Sequence, residues 1–185
     1  KIGMTGNVEI ISEIARLLHQ YSPRQVVLDP VMVSTSGHNL MTDEAVEAIC
    51  TLLLPEVSLV TPNLHEAAVL LQQPIHTVDD MEYAAHLVYE KYHCACLVKG
   101  GHLTGNEMCD VLYDGHELHL FGARRIHSGN LHGTGCTLSS AIATFLAQGF
   151  PLYEAVELAK TYITKAIEAG KDLHIGQGNG PLCHF

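Results

Sequence analysis

Helix-like and strand-like segments alternate along almost all of this sequence, and few folds can accept that order. Residues 7–21, NVEIISEIARLLHQY, put Ile10, Ile11, Ile14, Leu17 and Leu18 on one helical face, with Asn7 as N-cap. QVVLD (25–29) reads as a short buried strand. TDEAVEAICTLLLP (42–55) reads as a second helix, opened by Thr42 or Asp43 and closed by Pro55. VSLVTPN is a strand and LHEAAVLLQQ a helix; VDDMEYAAHLVYEKY is another helix and ACLVKGG another strand. CDVLYDGHELHLF predicts a hairpin around Asp114-Gly115, and two helices finish the order, one after Cys136 and one over LYEAVELAKTYITKAIEAG. Strands separated by helices imply an α/β fold, with a largely parallel sheet covered on both faces. The 185 residues suit a single domain, 1–185, and contain no repeat, linker or low-complexity tract.

In such sheets ligands bind beyond the carboxyl ends of the strands. Those ends carry Asp29-Pro30, then Thr61-Pro62-Asn63, then Lys99-Gly100-Gly101. An acid, a threonine-asparagine pair and a lysine at three successive strand ends suit a ligand bearing phosphate and a divalent cation. Each residue also has a plain structural role: Asp29 can end a strand, and Glu66 can be a first-turn helix acid that favours the dipole. Their convergence is more informative than any one of them.

HGTGC (132–136), followed by the apolar-periodic TLSSAIATFLAQGF, sets a glycine-rich loop at the mouth of a helix. The loop offers unpaired backbone amides, backed by the positive end of the helix dipole, and can hold an anion. Gly133 and Gly135 allow close approach and positive φ, and Thr134 adds a hydroxyl. The same field favours the thiolate of Cys136, which could take a proton from a substrate hydroxyl or attack an electrophile. GTGC alone also fits a tight turn followed by a packed cysteine. His132 reads as a structural residue that fixes the loop through a backbone hydrogen bond, and Ser139 and Ser140 as helix-packing residues.

Composition narrows the partners. A net charge of −10 without a basic stripe argues against nucleic acid, although loop amides can still bind phosphate locally. No apolar run is long enough to span a membrane, and no leader-like stretch precedes Ile2, so a cytoplasmic setting is expected. The six cysteines fall at irregular spacings that form no disulfide framework. HCAC (93–96), with His102 and Cys109 downstream, departs from zinc spacings, and Cys96 fits better as a small apolar strand residue.

HGTGCTLSSAIA resembles the signature loop of the hydroxymethylpyrimidine and phosphomethylpyrimidine kinases of thiamine biosynthesis, within the ribokinase superfamily. The resemblance continues in the family's order through KIGM (1–4), VVLDPVMV (26–33), SG (36–37), TPNLHEA (61–67), LVKGGH (97–102) and the terminal GNGPLCHF. It implies a ribokinase-like fold, a homodimer, and ATP with Mg2+ as cofactors. The substrate it implies is a hydroxymethyl aminopyrimidine and then its monophosphate. Carried over residue by residue, Cys136 is the base that activates the hydroxymethyl oxygen, and Gly133, Thr134 and Gly135 form the anion hole. Asn63 and Glu66 match the family's N-x-x-E motif, which organises magnesium around the ATP phosphates. Asp29 belongs to the same metal shell, Lys99 neutralises phosphate charge beside Thr61, and Met4 and Val31 line the pyrimidine pocket.

Three departures leave those polar groups intact: Leu131 stands for a threonine, His65 for a proline, and Thr5 for a leucine. A larger one lies ahead of KIGM, where the family carries further strands and helices that supply part of the ring pocket. The N-terminal part of the fold is therefore expected to be missing, leaving an apolar sheet edge open or covered by a partner segment. Pyridoxal kinase is a near alternative on the same scaffold, and thiazole kinases share the GTGC loop but match DPVMV and KGGH less well. An inactive nucleotide-binding remnant and an enzyme using Cys136 as a covalent nucleophile are the readings from other classes.

Overall fold

The computed structural model describes residues 1–33, 40–101 and 107–185; Ser36-Gly37 and His102 lie outside them. Five strands form one sheet in chain order: β1 (Val27–Leu28), β2 (Leu59–Val60), β3 (Ala95–Val98), β4 (Glu107–Tyr113) and β5 (Leu118–Arg124). The first three run parallel, and β4 and β5 extend the sheet as an antiparallel hairpin. Its strands are longer than the sequence pattern suggests, because the Glu107–Arg124 and Met108–Ala123 pairs continue the ladder past Cys109. Outside β1, Ile2 bridges Leu28 in parallel, with its amide on the Val27 carbonyl and its carbonyl on the Asp29 amide, 2.9 Å each.

The three parallel strands are buried on both faces, which is why they read as continuous apolar runs, whereas β5 leaves Leu118 and Leu120 exposed. Successive side chains alternate: Leu28, Val60, Cys96 and Val98 join the core beneath the helices of the first half of the chain. Val27, Leu59, Ala95 and Leu97 join the other core, under α5 (Thr134–Ala147) and α6 (Leu152–Gly170). Cys94, Ala95 and Cys96 of HCAC belong to this packing, while His93 is exposed. Cys94 and Cys96 are buried, and burial pushes the Cys94 thiol up to about 12.

On the first face, α1 (Val8–Tyr21) is capped by the Asn7 side chain on the Ile10 amide. Its apolar stripe is wider than the surface that covers it: Ile11 is fully buried, whereas Ile10 is 49% and Leu17 37% exposed. Thr42 caps α2 (Asp43–Ala48), which runs on through a π turn to a final 3-10 turn over Leu54–Glu56. Pro55 therefore lies inside the last turn and does not close the helix before it; at the start of a turn its missing N–H costs no hydrogen bond. α3 (Leu64–Leu71) and α4 (Val78–Tyr92) complete this layer. Among the described residues no helix is long and apolar enough to cross a membrane.

Candidate functional site

The three strand ends meet. Asp29, just past β1, is 2% exposed, and its Oδ1 lies 2.8 Å from Nζ of Lys99, just past β3. Lys99 is placed by its own amide, which donates to the Pro62 carbonyl at 2.8 Å, and by a parallel bridge to Asn63. Thr61, at the end of β2, was expected at the phosphates, but it is fully buried. Its hydroxyl faces Asp29 Oδ1 at 3.4 Å and the Leu28 carbonyl at 3.5 Å, so it supports the acid from below.

Asn63 and Glu66 form a capping box at the start of α3. The Asn63 side-chain oxygen accepts the Glu66 amide at 2.9 Å, and the Glu66 carboxylate accepts the Asn63 amide at 2.8 Å. The structural and chemical readings of N-x-x-E thus coexist, since the cap fixes the carboxyl beside the Asp29–Lys99 pair. Burial pushes the Glu66 carboxyl above the ordinary glutamate range. Lys99 and the Asn63 and Met32 amides pull it back, and the charge on Asp29 pushes it further up. Such a carboxyl is poised to ionise when a cation arrives.

The glycine-rich loop closes this corner from the opposite layer. Gly133 is the N-cap of α5 with φ 86°, a left-handed conformation that favours glycine. The first helical bond runs from the Thr137 amide to the Gly133 carbonyl, 2.8 Å, which leaves the Gly135 and Cys136 amides without intrahelical acceptors. Thr134 differs from its expected role: its hydroxyl and amide both donate to the Leu131 carbonyl, at 2.6 and 3.3 Å, and hold the turn. Gly135 faces the ion pair so closely that a Cβ there would stand 3.2 Å from Lys99 Nζ and 3.6 Å from Asp29 Oδ2. Cys136 is exposed and opens on a groove of about 540 Å³, shared with Ser140, Thr144, Phe145 and Tyr162. Met4 is 66% exposed; Val31 is half-buried, and its amide donates to the Asp29 carbonyl at 2.9 Å, which sets it beside the corner.

Two contributors escape sequence reasoning. Ser139, expected only to pack, is fully buried; its hydroxyl bonds to the Gly135 and Cys136 carbonyls at 2.9 and 3.1 Å and stands 3.5 Å from Asp29 Oδ2. The helical spacing from Gly135 to Ser139 was the available signal. Asn130 is buried, and its side-chain amide donates to the Gly170 and Leu173 carbonyls at 2.7 Å each. The terminal segment straps the loop to it, with the His132 amide on the Gly180 carbonyl and the Gly180 amide on the Gly129 carbonyl, 3.1 Å each. His132 therefore does hold the loop by a backbone bond, while its side chain remains exposed. No local pattern marks Asn130, because its partners lie 40 and 43 residues away.

The profile of the phosphomethylpyrimidine kinase family matches residues 1–183. The chain is 49% identical over 187 residues to a hydroxymethylpyrimidine/phosphomethylpyrimidine kinase of Rhizobium meliloti, covering all of this chain and 70% of that protein. A crystal structure of phosphomethylpyrimidine kinase from Clostridium difficile superposes with a TM-score of 0.79 at 40% identity, over 90% of this chain and 67% of the other. The pyridoxal kinase of Staphylococcus aureus, in complex with AMP-PCP and pyridoxal, superposes with a TM-score of 0.86 at 32% identity. That match covers 98% of this chain and 65% of the other.

Proposed function

This chain belongs to the phosphomethylpyrimidine kinase family, and from that premise we propose that it transfers the terminal phosphoryl group of ATP to a hydroxymethyl aminopyrimidine and then to the monophosphate, in thiamine biosynthesis. The observation that carries this reading is the contact between the Gly135 turn and the Asp29–Lys99 pair, which joins the anion-binding loop to the strand ends. The relative's printed activity supports the substrate, and AMP-PCP on the pyridoxal kinase supports ATP as donor.

In this reading the Gly135 and Cys136 amides and Lys99 bind the phosphoryl oxygens, so that developing negative charge meets donors already in place. Asp29 and Glu66 are the oxygen ligands that would hold magnesium, and they fit it: two carboxyls share one corner, and burial keeps one of them ready to lose its proton. The ion would supply charge neutralisation at the phosphates. Cys136, exposed beside the loop, receives the proton of the attacking hydroxyl. Met4 and Val31 border the ring. A homodimer and a cytoplasmic setting follow from the family resemblance and belong to the same proposal.

The test is turnover with ATP and magnesium on the aminopyrimidine alcohol, on its monophosphate and on pyridoxal, with products identified by mass. Phosphorylation of both pyrimidines is expected. Transfer confined to pyridoxal would move the assignment to pyridoxal kinase, the activity of the Staphylococcus aureus neighbour. Nucleotide binding without any product would make this a nucleotide-binding remnant.

A further inference from the structure

Asp110 and Lys160 form a second largely buried ion pair, on the far side of Lys99 from Asp29. Lys160 Nζ, on α6, lies 2.6 Å from Asp110 Oδ2 on β4, and the two side chains are 15% and 10% exposed. The other carboxylate oxygen, Oδ1, accepts the Gly100 amide at 2.8 Å. Gly100 is the residue after Lys99, and it has no room for a side chain: a Cβ there would meet the Cys109 carbonyl oxygen at 1.9 Å. The Lys99 amide is already bonded to Pro62 on the β2 side. The backbone that carries Lys99 is thus gripped from both neighbouring strands, by a carbonyl on one side and by the Asp110 carboxylate on the other.

A neutral acceptor would satisfy the Gly100 amide at far lower desolvation cost than a buried acid that must recruit a lysine from another layer. What the pair adds is a rigid tie between the helix layer and the point where β3 ends. We propose that Asp110, anchored by Lys160, is a positioning residue: through the Gly100 amide it sets where Lys99 presents its ammonium to Asp29 and to a bound phosphate. Its consequence for turnover rests on the kinase reading above; its consequence for Lys99 does not.

The experiment compares Asp110→Ala, Asp110→Asn and Lys160→Met with the parent chain. It follows amide exchange at Gly100, acylation of Lys99 by an N-hydroxysuccinimide ester mapped by peptide mass spectrometry, and kcat and KM for ATP. Loss of one hydrogen bond should speed Gly100 exchange about tenfold in Asp110→Ala and raise Lys99 acylation several-fold. Asp110→Asn, which keeps an acceptor for Gly100, should restore the slow exchange. Lys160→Met, which leaves the acceptor but cuts the anchor, should fall between them and is decisive should Asp110→Ala not fold. Where the parent turns over, kcat should fall more than KM rises. Parent-like exchange and acylation in folded Asp110→Ala, or in Lys160→Met, would overturn the proposal. A parent chain that transfers no phosphoryl group counts against the kinase reading alone, and the Gly100 and Lys99 measurements still decide this one.

Discussion

Lys99 Nζ and Asp29 Oδ1 stand 2.8 Å apart across 70 residues of sequence, with their side chains only 15% and 3% exposed. The pair is largely out of water, so deleting one member strands the other. Asp29→Ala should cost roughly 3–5 kcal/mol of stability, and the double variant Asp29→Asn with Lys99→Met should recover much of that loss. Urea denaturation measures both. A single variant as stable as the parent would show that the pair is solvated in solution.

Gly135→Ala should separate fold from site. The position is helical, so alanine is tolerated and can even stabilise by up to about 1 kcal/mol. The added methyl would press on Lys99 Nζ at 3.2 Å, where a phosphate would have to sit. Affinity for magnesium-ATP, read by calorimetry, should drop at least about tenfold, since a hydrogen bond to a charged group is worth about 1.5–3 kcal/mol. Unchanged affinity with a raised melting temperature would move the phosphates away from this corner.

Cys136→Ala should abolish phosphoryl transfer while ATP affinity stays within a factor of about two, because the amides that meet the phosphates belong to the backbone. Loss of ATP binding with the fold preserved would argue against the thiol as base. A phosphorylated or acylated Cys136 in trapped wild-type protein would make it a nucleophile instead.

Glu66 gives stability a pH dependence of definite sign. Its folded carboxyl titrates above the unfolded value of about 4.3, so over the interval between the two the folded state keeps a proton that the unfolded state has released. Its contribution to stability therefore falls as pH rises through that interval, and above it the full cost of a buried carboxylate is present. Glu66→Gln keeps an acceptor for the Asn63 amide and carries no charge. The stability of this variant relative to wild type should accordingly improve from about pH 4.3 upward and be flat below. A difference that does not vary with pH would remove the inferred burial cost.

Thr5 is 4% exposed, and its hydroxyl has no hydrogen-bond partner among the described residues. Thr5→Val keeps the shape and removes that polar atom, so it should stabilise by about 1 kcal/mol or more, seen as a higher melting temperature. A loss of stability would mean that the hydroxyl is solvated or bonded in solution.

Local chemistry made much of this molecule legible. Asn7 and Thr42 announce their helices because a cap is settled within three residues. The three parallel strands reveal themselves by burial on both faces, and HGTGC reveals a helix mouth whose first amides have no intrahelical acceptor. Tertiary structure alone decided the rest. It brought Asp29, Lys99 and Gly135 into one corner, and it turned Thr61 inward and spent the Thr134 hydroxyl on its own turn. It also gave Ser139, Asn130 and the Asp110–Lys160 pair their work. The reason is one of range. Backbone propensity and capping act over a few residues and are written in spacing. Which polar groups meet after the two cores close over the sheet depends on contacts many residues apart, where only the competition to satisfy every buried charge and amide selects the partner.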